Sequence, residues 1–233
     1  MTTGWEVTEV LKVKAAEQDP ALVFASTSYG VFRSTDNGNT WERKINGFRR
    51  PFSADVCIDR TNSRHVLAAT EEGVYVSSDA GEQWVAAGLS DLGVRVIVQD
   101  PHDPNVFWAG TEDSGVFCSS NGGLKWERRA TGLDRRTIYA IAIHPAKANW
   151  IYVGTFEGGV YKSTNGGIEW QQSSRGLADL QIHSLIILPS DPQMMFAGTL
   201  NKGLFRSTDG GESWRPDSYD DSQVWGLSVR SGK

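Results

Sequence analysis

Short runs of apolar residues alternate with polar, glycine-containing turns along the whole sequence. Two of these runs, TIYAIAIHP at 137–145 and IHSLIILPSDP at 182–192, are apolar and rich in β-branched residues, and each contains proline at its end. Such runs are typical of strands that are buried on both faces. No segment keeps the 3.6-residue period of an amphipathic helix. The pattern therefore predicts an all-β chain.

A nine-residue polar stretch, first seen as RSTDNGNTW at 33–41, occurs five times. Each copy contains Ser, then Asp or Asn two residues later, then Gly after two more and Trp after a further three. Successive copies begin 42 to 44 residues apart, and this even spacing indicates a repeat architecture. The repeated positions are Ser34, Asp36, Gly38 and Trp41; Ser77, Asp79, Gly81 and Trp84; Ser119, Asn121, Gly123 and Trp126; Ser163, Asn165, Gly167 and Trp170; and Ser207, Asp209, Gly211 and Trp214.

The chemistry of the repeated stretch is that of a turn. Asp and Asn side chains bond their own backbone two residues on, and glycine accepts the positive φ that a tight reversal needs. An apolar strand led by glycine, such as GVFRS at 30–34, precedes the turn, and the Trp opens another strand after it. We expect a β-hairpin with the Trp packed back over the turn. The repeated Ser, Asp or Asn and Trp residues are thus predicted to hold the fold and to contact no ligand.

Two further strands precede each hairpin, so each repeat contains four. An inner strand such as 137–145 comes first, and a second strand such as WIYVGT at 150–155 closes on threonine. Four short antiparallel strands in each period of about 43 residues predict a β-propeller blade. We expect one β-propeller domain over residues 1–233, with five blades as the main prediction and six as the alternative.

The repeated motif Ser-x-Asp-x-Gly-x-x-Trp resembles the Asp-box, or BNR, repeat. Proteins with this repeat include sialidases, other glycoside hydrolases, sortilin-type receptors and propellers similar to the photosystem II stability and assembly factor. The resemblance covers nearly the whole chain and implies a β-propeller. It also implies that the boxes lie on the hairpin between the two outer strands of each blade, away from the usual ligand site.

The overall charge excludes some partners. A formal charge of −5 and a pI near 5.4 do not suit a general nucleic-acid surface. The sequence has no membrane-spanning run, and residues 1–20 lack the basic end and apolar core of a signal peptide. We therefore expect no nucleic-acid or membrane partner, and a cytoplasmic location unless an export signal has been removed.

Cysteine and histidine residues show no spacing that suggests a metal or redox site. Cys57 and Cys118 lie in different repeats without CxxC spacing; Cys57 is expected in a buried strand and Cys118 at a partly exposed position. His102 and His144 adjoin prolines in turns and are expected to be solvated. The sequence contains no phosphate-loop, G-x-S-x-G or dinucleotide motif. We expect no cofactor and no metal.

Two sets of loops are expected to line the mouth of the propeller channel, where such folds bind ligands. One set leads from the last strand of a blade into the first strand of the next, and the other joins the second and third strands. Both sets vary far more than the strands do. The first set comprises 46–53, 88–95, 132–139, 176–183 and 218–225, and the second comprises TSYG, TEEG, TEDSG, TFEGG and TLNKG.

One position in these loops carries a different residue in each repeat. Alignment on the threonine that ends the second strand makes Leu11, Ala54, Arg95, Tyr139, His183 and Trp225 equivalent. Charged residues surround this position: Arg49, Arg50, Arg95, Arg135 and Arg136, with Glu71, Glu72, Glu112, Asp113 and Glu157 in adjacent loops. The mixture suits a polar or charged ligand, with mutually solvated surface charges as the alternative interpretation. The predicted ligand-binding residues are Arg49, Arg50, Arg95, Arg136, Tyr139, His183, Trp225, Glu71, Glu112 and Glu157.

Two functions remain open. The first is a non-enzymatic propeller, similar to the assembly-factor group, that binds a protein segment, a polar small molecule or a glycan at the mouth. The second is a glycoside hydrolase or lyase with a carboxylate pair drawn from Glu71, Glu112, Asp113, Glu157 and Asp220. No motif singles out such a pair, and FRRP at 48–51 follows the first box, whereas the similar sialidase signature precedes it. Binding is the main prediction, and no catalytic residue is assigned.

The two ends of the sequence suggest how the blades close. VLKVKA at 10–15 provides the inner strand of the first repeat, and VWGLSVRSG at 224–232 aligns with the inner strand of a sixth. An uncovered apolar strand at an open edge promotes aggregation. We expect the C-terminal strand to join the first blade and close a five-bladed ring. A partial sixth blade and the pairing of two chains are the alternatives, so the protein is expected to be a monomer or a homodimer.

Overall fold

The structure of the protein, a computed structural model, describes residues 9–133, 135–218 and 221–229. These residues form twenty β-strands and no helix, so no helix in this part of the chain could span a membrane. The strands form five sheets of four antiparallel strands each. The predicted all-β fold of four-stranded propeller blades is therefore confirmed.

The chain divides into two compact units. Unit 1 consists of residues 1–109 and 118–127, and unit 2 consists of residues 110–117 and 128–233. The first and second blades belong to unit 1, the fourth and fifth to unit 2, and the strands of the third are divided between them.

Each blade runs in chain order from its inner strand to its outer strand. The first blade contains β1 (Val10–Ala15), β2 (Val23–Thr27), β3 (Gly30–Ser34) and β4 (Glu42–Arg43), and the second contains β5 (Asp55–Ile58), β6 (Val66–Thr70), β7 (Gly73–Ser77) and β8 (Val85–Ala86). The third contains β9 (Val94–Gln99), β10 (Phe107–Thr111), β11 (Val116–Ser119) and β12 (Glu127–Arg128). The fourth contains β13 (Ile138–Ile143), β14 (Ile151–Thr155), β15 (Gly159–Ser163) and β16 (Gln171–Gln172), and the fifth contains β17 (Ile182–Leu188), β18 (Asp191–Thr199), β19 (Leu204–Ser207) and β20 (Arg215–Ser218).

Burial follows strand order because the middle strands of a blade are covered on both faces. All residues of β6, β10 and β14 are buried, whereas the two-residue strands β4, β8, β12 and β16 are exposed. Phe24, Leu67 and Phe107 lie in the core of unit 1. Tyr152 and Phe205 lie in the core of unit 2. The inner strand β1 is the exception among inner strands, since its residues are exposed except for the half-buried Lys12.

The repeated polar stretch forms the same turn in all five blades. In the first, the Ser34 hydroxyl donates to Asp36 Oδ1 at 2.7 Å and accepts from the Gly38 N–H at 2.8 Å. Asp36 Oδ1 also accepts from the Thr40 N–H at 2.8 Å, so one carboxylate holds both sides of the turn. Gly38 has a φ of +85°, which is why glycine is repeated there. The same bonds recur with Asp79, Asn121, Asn165 and Asp209 as acceptors.

The Trp of each later turn ties its blade to the preceding one. Trp214 Nε1 donates to the Ser173 carbonyl at 2.7 Å, and Trp84 Nε1 donates to the Lys44 carbonyl at 3.1 Å. Trp126 and Trp170 make the equivalent bonds, to the carbonyls of Ala87 and Arg129. The repeat therefore supplies both the hairpin and the contact between neighbouring blades.

Residues 221–229 do not form the expected strand of the first sheet. The first sheet consists of β1 to β4 alone, and residues 221–229 form no strand. Val224 lies against the fifth blade: its N–H donates to the Thr199 carbonyl at 3.0 Å, and its carbonyl accepts from the Ser184 hydroxyl at 3.0 Å. These two bonds hold the backbone of Val224 on the fifth blade, and the first sheet contains no strand from residues 221–229. The prediction that the C-terminal strand joins the first blade is therefore wrong for these residues. Residues 230–232 of the expected strand lie outside the described residues.

Single residues outside the turns agree with the sequence analysis in part. Cys57 is buried and Cys118 is half-buried, as expected. His102 is exposed as expected. The expectation for His144 is wrong, because its ring packs at 5.6 Å against Trp150 and its Nδ1 accepts from the Ala146 N–H, which leaves it buried.

Candidate functional site

The turns between the second and third strands of the blades, here called the mouth turns, share one stem. The threonine that ends the second strand donates through Oγ1 to the carbonyl of the glycine that opens the third, at 2.8 to 2.9 Å in every blade. The threonines are Thr27, Thr70, Thr111, Thr155 and Thr199. Since the stem is fixed by this bond, the residues at the tip are free to differ.

A β-bulge lies at the start of the inner strand in the first, fourth and fifth blades, at the aligned position. In the fourth blade Ile138 pairs with Thr155 and Ala140 pairs with Gly154, so Tyr139 is the extra residue. His183 is the extra residue in the fifth blade and Leu11 in the first. A bulge re-aims its side chain away from the regular alternation of the strand. Tyr139 and His183 therefore project in the same way from the successive fourth and fifth blades.

In unit 2 the two bulge residues Tyr139 and His183 join Phe156 and Trp225 in an aromatic row of four rings. Tyr139 stacks on His183 with centroids 4.4 Å apart and planes 22° apart. Trp225 approaches His183 at 4.4 Å with the planes at 65°, and Phe156 meets Tyr139 edge-on at 6.2 Å. Such offset and edge-to-face arrangements are the favoured geometries for aromatic pairs. His183 is buried between its neighbours, whereas Trp225 is 57% exposed and Phe156 is 38% exposed.

The exposed end of the row is held by backbone contacts. Val224 is anchored to Thr199 and Ser184, which fixes the chain immediately before Trp225. A Cβ at Gly198 would come within 2.6 Å of the Val224 carbonyl, so glycine is needed for this approach. Trp225 Nε1 donates to Gln223 Oε1 at 3.1 Å. Its ring thus presents an ordered apolar face to solvent.

Charged groups flank the aromatic row. The Arg136 guanidinium lies 5.8 Å from the centre of the Tyr161 ring and beside Gly158 in the mouth turn that carries Phe156. Glu157, in the same turn, is exposed and has a φ of +58°. A positive φ is uncommon for a residue with a side chain. Cationic and anionic groups are therefore both available beside the rings.

The neighbouring turn of unit 2 holds two further acidic side chains. Glu112 is half-buried, and Asp113 is exposed with a φ of +53°. Asp113 Oδ1 accepts from the Thr137 hydroxyl at 3.3 Å. Thr137 also accepts through its carbonyl from the Phe156 N–H, so this residue contacts both mouth turns.

The mouth residues of unit 1 are charged rather than aromatic. Arg50 forms an ion pair with Glu72, with 3.6 Å between Nε and Oε1. The Arg95 guanidinium lies 5.9 Å from the centre of the Phe52 ring. Arg49 and Glu71 are exposed. This charged edge of unit 1 has no aromatic row, since its aligned positions hold Leu11, Ala54 and Arg95.

The structure thus brings together only some of the predicted site residues. Tyr139, His183 and Trp225 form one contiguous surface, and Arg136 and Glu157 flank it. Sequence alignment missed Phe156, although it is the one aromatic residue in the TFEGG turn, because that turn was recognised only as a loop. Asp220, a candidate carboxylate, lies outside the described residues. Within the described ranges, no three His, Cys, Asp or Glu side chains lie close enough to hold a metal ion.

Comparisons with known proteins agree with the repeat and the fold. The model of the BNR/Asp-box repeat family matches residues 205–216, which contain the fifth box. A comparison with curated protein sequences gives no significant match. An ancestral GH74 enzyme is similar in structure, with a TM-score of 0.78 and 21% identity over 92% of this chain and 32% of its own. This chain therefore spans about a third of that enzyme.

Two further solved structures are similar over most of both chains. YCF48 from Cyanidioschyzon merolae has a TM-score of 0.51 and 17% identity over 93% of this chain and 90% of its own. YCF48 bound to D1 peptide has a TM-score of 0.57 and 13% identity over 90% of this chain and 83% of its own. At these identities the similarity concerns the fold. The resemblance to Asp-box propellers is confirmed: the family model matches the fifth repeat, and the described strands form four-stranded propeller blades.

Proposed function

We propose that the protein is a non-enzymatic binding module whose aromatic row in unit 2 recognises a protein segment or another polar ligand. The observation that carries this proposal is the row of packed rings formed by Phe156, Tyr139, His183 and Trp225, whose Phe156 and Trp225 rings are exposed, beside Arg136 and Glu157. Trp, Tyr and Arg are the residues most enriched in binding hot spots.

The row has a defined recognition chemistry. Flat rings favour the apolar faces of prolines, aromatic side chains or sugar rings, and they lose little conformational entropy because they already pack on each other. Arg136 can donate to a carboxylate or carbonyl of the ligand, and Glu157 can accept from an amide or hydroxyl. A ligand with an apolar face and polar edges satisfies both parts of the surface.

Similarity to a peptide-binding propeller supports a protein segment as the ligand. One similar solved structure is YCF48 bound to D1 peptide, and this chain matches 83% of that protein. The match to the ancestral GH74 enzyme covers only 32% of that enzyme. The comparison that spans more of the known protein is therefore the one with the peptide-bound propeller.

A glycoside hydrolase is the second candidate, because the ancestral GH74 enzyme has the higher TM-score. Hydrolysis needs two carboxyl groups about 5 to 5.5 Å apart for retention, or about 6.5 to 9.5 Å apart for inversion. Asp113 is hydrogen-bonded to Thr137. The cavity beside Lys162 and the one beside Lys14 are not lined by Glu71, Glu112, Asp113 or Glu157. No pair is therefore assigned among these four candidate carboxylates, and binding remains the main proposal.

The proposal is tested with a panel of peptides and glycans, titrated against the native chain and against Trp225→Ala. We expect at least one ligand to bind the native chain and to lose about tenfold or more in affinity in the variant. Tyr29→Ala is the matched control, since Tyr29 is 49% exposed on the mouth turn of the first blade but outside the row. Equal losses in both variants, or glycan hydrolysis that Trp225→Ala leaves intact, would contradict the proposal.

A further inference from the structure

A second polar site lies at the opposite end of the blades of unit 2, beside the Asp-box turn of the fifth blade. It is a cavity of about 170 Å³, and its lining includes Lys162, Glu169, Gln171, Ser173 and Glu212. Lys162 lies in the glycine-led strand β15 of the fourth blade, Ser173 follows the outer strand β16 of that blade, and Glu212 belongs to the fifth box. The cavity is therefore formed by two successive blades within unit 2.

Unit 1 contains the equivalent groove between its first two blades, and there the groove is filled. The Lys44 ammonium sits between two carboxylates, 2.8 Å from Glu42 Oε2 and 2.9 Å from Glu82 Oε2. Arg33 adds a second cation, 2.7 Å from Glu82 Oε1. Burial acts to lower the pKa of Lys44, but its hydrogen bonds to Glu42 and Glu82 raise it overall. The groove of unit 1 is thus a charge-balanced ammonium site occupied by the chain itself.

When the boxes are aligned, each residue of the unit 2 cavity has an equivalent in the groove of unit 1. Lys162 corresponds to Arg33 and Glu212 to Glu82, and the Lys162 ammonium contacts Glu212 Oε1 at 2.8 Å just as Arg33 contacts Glu82. Ser173 corresponds to Lys44. Its hydroxyl donates to the Gly211 carbonyl, so it does not enter the space that a lysine would occupy. The cavity in unit 2 is therefore the volume in which unit 1 keeps the Lys44 side chain.

The lining of the unit 2 cavity also carries one more negative than positive side chain. Its lining includes two carboxylates, Glu169 and Glu212, and one cation, Lys162. Lys162 is partly committed to the Trp150 ring, whose centre lies 4.2 Å from its ammonium. Gln171, in the place of Glu42, retains an amide oxygen that can accept from a donor in the cavity. The lining thus offers acceptors with an excess of negative charge.

The grooves beside the third and fourth boxes lack this acidic lining, because neither box has a glutamate at the position of Glu82 and Glu212. The residue after the last glycine of the box is Glu82 in the second box and Glu212 in the fifth, but Leu124 in the third and Ile168 in the fourth. Only the second and fifth boxes therefore place a carboxylate toward the preceding blade. One of these two grooves contains its own lysine, and the other does not.

We propose that the cavity beside Glu212 binds a primary ammonium group on a flexible methylene chain, in the way that unit 1 holds Lys44. The ligand is either a small alkylamine or the side chain of a lysine exposed on another protein. The ammonium donates to Glu212, to Glu169 and to the Gln171 amide oxygen, and the methylene chain lies along the space above Ser173. This site is separate from the aromatic row and does not depend on the proposed function.

The experiment is a titration followed by the backbone amide resonances of the full chain. The probes are n-butylamine, a short lysine-containing peptide with blocked ends, and the same peptide with an Nε-acetylated lysine. We expect both amines to shift the resonances of residues 162–173 and 212 in a saturable manner and the acetylated peptide to shift none of them. Tighter binding of the peptide assigns the lysine side chain as the source, and equal binding assigns a free amine.

Three variants make the proposal falsifiable. Ser173→Lys should fill the cavity as Lys44 fills its groove and should weaken amine binding by about tenfold or more, with no loss of thermal stability. Glu212→Gln should weaken binding similarly while the cavity stays open. Lys44→Ser is the reciprocal test and should create a second amine site in unit 1. Amine shifts that persist in both Ser173→Lys and Glu212→Gln, or an acetylated probe that binds equally well, would overturn the proposal.

Discussion

The two ends of each blade differ in what the repeats keep constant. At the Asp-box end, the same Ser, Asp or Asn, and Gly contacts occur five times with hydrogen-bond lengths between 2.7 and 3.0 Å. At the mouth end, the threonine stem is equally constant, but the tip residues differ in every blade. The repeated hydrogen bonds hold the scaffold. The tip residues of the mouth turns make none of these bonds, so they can differ from blade to blade and form a site specific to this protein.

The mouth itself differs between the two units for a local reason. The bulged position holds Leu11 in unit 1 but Tyr139 and His183 in unit 2. Large rings at successive bulges can stack, whereas Leu11, Ala54 and Arg95 cannot form such a row. The aligned position therefore contributes to a charged edge in one unit and to an aromatic row in the other.

The largest expected effect is on the scaffold. Trp214 is 4% exposed and donates to the Ser173 carbonyl, so Trp214→Ala should lower the free energy of unfolding by about 3 to 5 kcal/mol. Denaturant unfolding measures this change. Trp41→Ala should cost less, since Trp41 is only half-buried. Ligand affinity per folded molecule should stay the same in both variants, and a selective loss of affinity would show that the boxes belong to the binding site.

The next effect is on the aromatic row. Trp225→Ala should reduce affinity for a mouth ligand by about tenfold or more, equivalent to about 1.4 kcal/mol, because the exposed ring of the row is removed. The melting temperature should change little, since Trp225 is mostly exposed. Isothermal titration calorimetry and thermal unfolding of the same samples check the two parts. A large fall in melting temperature with unchanged affinity would mark the row as structural.

A smaller effect separates the two units. Arg136→Ala removes the cation beside the row and should weaken an anionic ligand several-fold, whereas Arg95→Ala, on the charged edge of unit 1, should weaken it less. Both variants should keep their stability, since half-exposed charges contribute little to folding. Affinities measured for ligand pairs that differ by one carboxylate test this order. An equal or larger effect of Arg95→Ala would assign anion binding to unit 1.

The smallest effect concerns the acid sensitivity of the boxes. Hydrogen bonds from Thr40 and Ser34 lower the pKa of Asp36 from 3.8 to about 2. Burial acts to raise the pKa of Asp209, but bonds from Ser213 and Ser207 lower it, also to about 2. A lowered folded-state pKa gives stability that is present above pH 3.8 and is lost as the pH falls toward 2.

Asparagine at these positions removes the titration and keeps the turn, as Asn121 and Asn165 do in the third and fourth boxes. Asp36→Asn with Asp209→Asn should therefore flatten the decline in unfolding free energy between about pH 4 and pH 2. Urea unfolding at several pH values measures the slope. A variant with the same slope as the native chain would show that other carboxylates control acid unfolding.

The fold was predictable from the sequence because its signals are local and repeated. The box chemistry, the strand lengths and the threonine stems each act within one hairpin, so one copy explains all five. The site was predictable in part: alignment identified Tyr139, His183 and Trp225 as equivalent, but only the bulge shows that their rings meet. Phe156 was missed because the sequence of a turn does not show which neighbouring side chains its tip residue contacts.

The C-terminal segment shows a different limit. Its sequence matches an inner strand, but pairing depends on which edge lies beside it, and Val224 bonds to Thr199 and Ser184 of the fifth blade. The burial of His144 was also not predictable, because it depends on contact with Trp150, which lies six residues later, just before β14. The pairing of the C-terminal segment and the burial of His144 both depend on contacts between different elements. The sequence pattern within one element does not reveal such contacts.

The central claim is that the aromatic row of unit 2 is the ligand site, and the direct measurement is a map of ligand contacts on the full chain. The best ligand from the peptide and glycan panel is titrated while backbone amide resonances are followed. The account predicts saturable shifts concentrated at Phe156, Tyr139, His183 and Trp225, with the box residues 207–214 unchanged. Saturable shifts confined to the charged edge of unit 1 or to the boxes would contradict it.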